Sequence, residues 1–399
     1  MIVLAGGDLV LPGRILPNAS LLIDGARIAA VEPDAHVDAA GATIVETSEC
    51  YVVPGFVDVH VHGVDGHDTL DEGDSVAQIA SRLPRYGVTA FCPTTVACAP
   101  PALTIVLAQV AKARAMRPAN SARVLPAHLE SNFINPDYRG AQPVECLRLP
   151  SDSIDRRDGG FSARDILDVI AGAGPDVGIV TLAPELPGGV ELVRALVAAG
   201  TRVSLGHSGA GLDEAMAAID AGARHATHLF NRMAPMTHRA PGVAGAVLAR
   251  DEVAAELICD GYHVHPAMSR IAIASKGVGR LMAITDGTAG SGLAVGSSTR
   301  LGGRRIRVTE HAAVLDDGTL AGSTLTMGRA FRAIATTFGF SVADAAMLCA
   351  TTPARELGMT GVGALVEGGT ADIVVLDRRF HVVRTFIDGR EVYRSGAVA

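Results

Sequence analysis

The stretch VVPGFVDVHVHG (residues 52–63) decides the fold. It is an apolar, β-branched run that ends on two imidazoles, His60 and His62. Residues two apart on a strand point to the same side, so the pair can grip one ion together. Runs of the same kind recur at 87–97 (GVTAFCPTTVA), 123–131 (RVLPAHLES), 178–185 (GIVTLAPE), 202–208 (RVSLGHS), 225–230 (HATHLF), 256–261 (ELICDG) and 281–287 (LMAITDG). Helical patterns such as PALTIVLAQVAKARAM, VELVRALVAAG and LDEAMAAIDAG separate most of them; the gap between the sixth and seventh runs is less clearly helical. Eight strands alternating with helices predict an α/β chain with a (β/α)8 TIM-like barrel. An open doubly wound sheet is the alternative, but no GxGxxG or GxxxxGK[ST] fingerprint supports a nucleotide-binding version of it.

Both ends of the chain read differently. Residues 1–50 hold short strand-like runs around an Asp24-Gly25 turn, and the last forty repeat the style around Asp388-Gly389. Asp-Gly between alternating apolar residues is a hairpin signal. Chain termini often lie close together, so one small β-sandwich domain built from 1–53 and 359–399 is expected beside a barrel spanning 54–358.

Composition narrows the function. With 399 residues, the chain exceeds the size at which a single core stops growing. The net charge is -8, aromatics are 4% and Trp is absent, which disfavours a nucleic-acid partner. Six scattered Cys without a CxxC fit reduced thiols and a cytoplasmic location. No signal-peptide pattern opens the sequence and no apolar run is long enough for a membrane span, so no membrane partner is expected.

Functional residues of a barrel collect at the C-terminal ends of its strands. The first run ends in His60 and His62, the third in Glu130, the fifth in His207, the sixth in His228 and the eighth in Asp286. Four imidazoles and two carboxylates at one mouth suit a divalent metal: Zn²⁺ first, with Fe²⁺, Mn²⁺ or Co²⁺ as alternatives, one or two ions per subunit. Asp58 and His128 precede such residues by two and read as buried partners of the ligands. His36, His67, His225, His311 and His381 read as structural or surface residues. The only lysines, Lys112 and Lys276, fall in helices. Neither can be a carboxylated bridge or a Schiff-base nucleophile, so Glu130 is the available bridge between two ions.

PGFVDVHVHG, LGHSGA, THLFNRMAP, ITDGTAG and the closing GGTADIVVLD resemble the amidohydrolase superfamily. The order HxH, HLE, GHS, THLFN and TDG is similar to the N-acetylglucosamine-6-phosphate deacetylase family, over nearly the whole chain. The resemblance implies a barrel with a composite β-sandwich, a metal-dependent deacetylase activity, a phosphorylated amino sugar as small-molecule partner, and a homodimer. It makes Glu130, His207 and His228 the principal metal ligands and His60 and His62 the ligands of a second ion. Asp286 becomes the general base and acid. Arg239 and His263 match residues that bind the sugar phosphate, in part across a dimer interface. Asn231 with its neighbour Arg232, and Leu320, Ala321 and Gly322, match further substrate contacts.

The chain departs from the family pattern in three places. Ser131-Asn132 replaces Gly-Pro, Gln142 replaces a His thought to polarise the substrate carbonyl, and Arg232 replaces a small residue. Gln142 can donate a hydrogen bond but cannot become cationic. These changes leave open a related N-acetyl amino sugar as substrate. Cyclic-amide hydrolysis, deamination and a non-catalytic binding scaffold are the other readings of the same fold.

Overall fold

The computed structural model describes residues 1–35, 40–151 and 160–396; His36 lies outside them. Its centre is a parallel sheet of nine strands. The short strand Arg123–Val124 flanks the ring. The other eight form it, and they are numbered β1 (Phe56–Val61), β2 (Val88–Thr95), β3 (Ala127–Glu130), β4 (Val177–Leu182), β5 (Arg202–Leu205), β6 (His225–Ala226), β7 (Ala254–Ile258) and β8 (Leu281–Ile284). All eight residues of β2 are buried, as are all five of β7. Parallel strands covered on both faces need such near-continuous apolar runs. The ring closes where β1 meets β8: Asp286 N–H donates to His60 O (2.9 Å), and the His62 and Gly63 amides both donate to Gly287 O (2.8 and 2.9 Å).

Helices cover the outside. The predicted second helix runs Pro100–Met116, with prolines supplying its first turn. The helix Ala163–Ala173 starts at a Ser162/Asp165 capping box. The unclear gap between the sixth and seventh runs holds the helix Gly242–Ala249. Its residues GVAGAVLA are apolar almost all round, so no amphipathic period marks it in the sequence.

The chain ends share one sheet. Its strand order is Arg390–Arg394, Val382–Ile387, Ile373–Asp377, Cys50–Pro54, Ile2–Leu11, Arg14–Asp24, Arg27–Glu32, with Thr43–Glu46 pairing Ile2–Leu11 from the side. Leu4, Leu9, Leu21, Ile23, Val52, Ile373 and Phe386 make its own core. A further three-stranded sheet, Ser298–Leu301, Arg304–Val308 and Ala313–Val314, is inserted after β8. It turns at Gly302-Gly303, both with positive φ, the geometry a two-residue hairpin requires. This sheet lies outside what the sequence pattern anticipates, and its Leu301 reaches the site at the barrel mouth.

Candidate metal centre and cavity

The strand-end residues meet at the C-terminal mouth of the barrel. Glu130 Oε1 lies 2.7 Å from His207 Nε2 and 2.9 Å from His228 Nε2, and the two imidazole nitrogens are 3.1 Å apart. Beside this triad stands a second. His60 Nε2 and His62 Nε2 are 3.2 Å apart, and Asp286 Oδ1 is 3.3 and 3.2 Å from them. Glu130 lies between the two sets, its Oε2 3.5 Å from His62 Nε2. All six residues are buried.

Local backbone explains how they converge. His207, His228 and Asp286 each follow the end of their strand in a left-handed conformation (φ 49°, 27° and 47°). Such a turn costs a non-glycine residue on the order of 1–3 kcal/mol, and strain of this kind clusters at functional sites. It ends β6 after Ala226, so the predicted strand HATHLF is a strand only over its first two residues.

The donor groups are electrostatically coupled. Burial works against charge on His60, but Glu256, hydrogen-bonded to Nδ1, overrides it and raises the imidazole to about 10. Burial also opposes ionisation of Glu130, yet His207 and His228 hold it well below the ordinary carboxylate range. Asp286 is lowered against the same burial by His62 and His60. His128 is driven down to about 3 by burial and is held neutral between Val59 O (3.0 Å) and Thr181 Oγ1 (2.8 Å).

Each triad fits a cation. Tetrahedral donors at about 2.0–2.1 Å from a zinc-like ion stand about 3.3 Å apart, close to the spacing of the His60–His62–Asp286 set and slightly wider than that of Glu130–His207–His228. Two of the four ring nitrogens away from the mouth support the same reading, while those of His62 and His228 have no hydrogen-bond partner among the described residues. His60 Nδ1 is tied to Glu256 Oε2 (2.9 Å) and His207 Nδ1 to Tyr138 O (2.8 Å). Such bonds fix the tautomer that offers Nε2 as a donor atom.

Above the triads lies a cavity of about 550 Å³. His62, Glu130, Gln142, His207, His228, Asn231, Arg232, His263, Asp286, Leu320 and Gly322 line it.

Residues 51–392 match the amidohydrolase family. The chain belongs to that family. Among its members, the rat N-acetylglucosamine-6-phosphate deacetylase is 38% identical, over 98% of this chain and 94% of the rat protein. The N-acetylgalactosamine-6-phosphate deacetylase of Escherichia coli O157:H7 is 34% identical, over 94% and 95%. A Mycobacterium smegmatis N-acetyl-D-glucosamine-6-phosphate deacetylase variant, solved in complex with N-acetyl-D-glucosamine-6-phosphate, superposes with a TM-score of 0.87 at 31% identity. That match covers 98% of this chain and 99% of the other.

Within this amidohydrolase, three predicted site residues stand off the cavity wall. His60 is wholly buried beneath it, and Ala321 is buried between Leu320 and Gly322. Arg239 sits on an exposed loop, its guanidinium 2.6 Å from His238 Nε2, and does not line the cavity of its own chain. Asp58 is the expected buried partner of His60, but it holds the backbone rather than the ring. It binds the hydroxyl of Thr285 (2.6 Å) and the His60 amide (3.3 Å), not an imidazole. Burial raises it to about 7. The imidazole partner is Glu256, a residue the sequence pattern does not single out. It takes His60 Nδ1 and His225 Nε2 at 2.9 Å each, together with the His228 amide (3.1 Å). A carboxylate inside a buried strand was the available signal, because an unpaired charge there is not tolerated.

The three departures have distinct settings. Asn132 donates to Cys98 O and Cys146 O (2.8 and 2.7 Å) and Ser131 Oγ accepts from Phe133 N (3.1 Å). Both brace loops and neither lines the cavity. Gln142 accepts the Ala97 amide (2.7 Å) and donates to Glu130 Oε2. Arg232 lies against Gly140, where a Cβ would meet its Nε at 2.7 Å. Lys112 pairs Asp74, and Lys276 donates to Arg250 O; both lie away from the mouth. No helix among the described residues is long and apolar enough to cross a membrane.

Proposed function

We propose that this chain is a metal-dependent amide hydrolase that removes the acetyl group of N-acetylglucosamine-6-phosphate, giving glucosamine-6-phosphate and acetate. The observation that carries the reading is the meeting of two donor triads across Glu130 on the floor of one cavity. The deacetylase relatives named above supply the substrate.

An amide is a poor electrophile with a poor leaving group. A divalent cation held by Glu130, His207 and His228, and a second held by His60 and His62, would acidify water and polarise the carbonyl. Asp286 is placed beside this nest and reaches the cavity, where its carboxylate takes a proton from the attacking water and passes it to the departing amine. Gln142 and Asn231 position the acetamide and sugar. His263 and Arg232 face the phosphate. Binding energy at that end orients the acetamide over the floor.

We further assign Zn²⁺ as the ion, on the imidazole-rich donor set, and a homodimer, in which Arg239 is free to serve a second copy's cavity. The six unpaired cysteines favour a cytoplasmic protein. Residues 54–358 are taken as the catalytic barrel, with 1–53 and 359–399 as the composite sheet domain. Gln142 and Arg232 favour one second reading, a related N-acetyl amino sugar as substrate.

The test is acetate release from metal-loaded protein, with N-acetylglucosamine-6-phosphate compared against its galacto epimer and its dephosphorylated form. Preference for the phosphorylated gluco sugar supports the proposal. Faster turnover of the epimer moves it to the second reading, and no acetate from any of them removes it.

A further inference from the structure

His263 and Asp260 form a buried pair at the edge of the cavity. Their side chains are 5% and 8% exposed, and His263 Nδ1 lies 2.6 Å from Asp260 Oδ2. Asp260 Oδ1 is engaged separately, accepting the amides of Tyr262 and His263, both at 2.8 Å. The other imidazole nitrogen, His263 Nε2, is buried without a hydrogen-bond partner, and His263 lines the cavity.

A buried ring nitrogen without a partner is costly unless a ligand completes it. The pairing at Nδ1 sets which ligand that is. The Asp260 carboxylate accepts at Nδ1, so a ring that also meets an anion at Nε2 must donate from both of its nitrogens. The outward face is then a charge-assisted donor, suited to an anion.

We infer that Asp260 is a positioning residue: acting through His263, it presents a cationic N–H to the anionic end of the substrate. This rests on the phosphorylated sugar proposed above, and it adds a residue that never touches that sugar. The two oxygens of Asp260 separate this role from a merely structural one. The turn uses Oδ1, whereas anion binding uses Oδ2.

Asp260→Asn keeps an acceptor for the two amides and turns a donor toward His263 Nδ1. The ring then becomes neutral, with Nε2–H still outward but uncharged. Because a charge-assisted bond is roughly twice as strong as a neutral one, KM for the phosphorylated sugar should rise about tenfold. The value of kcat should stay within about twofold, as should kcat/KM for the dephosphorylated sugar. In a His263→Gln background the same substitution should add nothing. Inorganic phosphate, titrated calorimetrically, should bind the Asp260→Asn protein about tenfold more weakly than wild type.

An unchanged KM and phosphate affinity in Asp260→Asn, with unchanged thermal stability, would overturn the inference, as would full additivity with His263→Gln. The phosphate titration separates this inference from the assigned reaction. If wild type binds phosphate through the pair but releases no acetate, the reaction fails and the positioning role stands.

Discussion

His60 presents Nδ1 to Glu256 Oε2 at 2.9 Å and Nε2 to Asp286 Oδ1 at 3.3 Å, so one imidazole links a buried carboxylate to the cavity floor. Glu256 holds His225 and the His228 amide as well. It therefore orients residues of both triads from below. Removing its charge while keeping its shape should loosen the His60 ring without emptying the core. Glu256→Gln is expected to retain the fold and to lose about 10–100-fold in metal affinity, the usual effect of such outer partners. Metal content after dialysis against a weak chelator measures this. Wild-type retention in the variant would show that Glu256 does not tune the ligands.

Asp286 stands with His60 and His62, outside the Glu130–His207–His228 set. Asp286→Asn should therefore keep the ability of that set to hold an ion while losing the proposed proton carrier. Turnover should fall by about 10²–10⁴-fold, the typical share of general acid–base catalysis, with at least one ion per chain still measured by elemental analysis. Normal turnover would move the acid/base role elsewhere.

The position of Asp286 depends on a glycine far along the chain. Gly322 has φ 67°, and a Cβ there would meet Thr288 Cγ2 at 2.7 Å and Asp286 O at 2.9 Å. The Ser323 amide also donates to Asp286 O (2.8 Å). Gly322→Ala should lower stability by about 1–2 kcal/mol through the left-handed backbone alone. The displaced Asp286 should also cut kcat more than it changes KM. Denaturant unfolding and steady-state kinetics read the two effects separately, and a variant that loses stability but keeps kcat would uncouple Gly322 from the site.

What the sequence disclosed, and what it hid, follows from how each residue acts. His60, His62, Glu130, His207, His228 and Asp286 were legible because a parallel barrel exposes the C-terminal ends of its strands, and each stands at or just beyond such an end. The β-rich ends were legible from their Asp-Gly turns. The left-handed turns at His207, His228 and Asp286 were not, because none of them is a glycine and no local pattern demands positive φ. Glu256 was hidden at the head of ELICDG, a run whose apolar residues dominate its pattern. The three-stranded insertion lay behind Gly302-Gly303, a turn signal without the long alternating runs that would frame it as a hairpin. Arg239 shows the opposite limit: a motif can name a residue that does not line the cavity.

Gln142 offers the sharpest choice between two roles. Its carbonyl oxygen is occupied by the Ala97 amide and its nitrogen by Glu130 Oε2. These two bonds serve to orient Glu130, and the second N–H of the amide is left as the donor that a carbonyl-polarising group would need. If orientation is its work, Gln142→Ala releases Glu130 and strands the buried Ala97 amide. Metal affinity and stability should then fall together, the latter by about 1–3 kcal/mol for the unpaired amide. If polarisation is its work, the same variant should keep its ions and lose kcat alone. Parallel measurement of metal content, unfolding free energy and kcat decides between them, and the geometry predicts the first pattern.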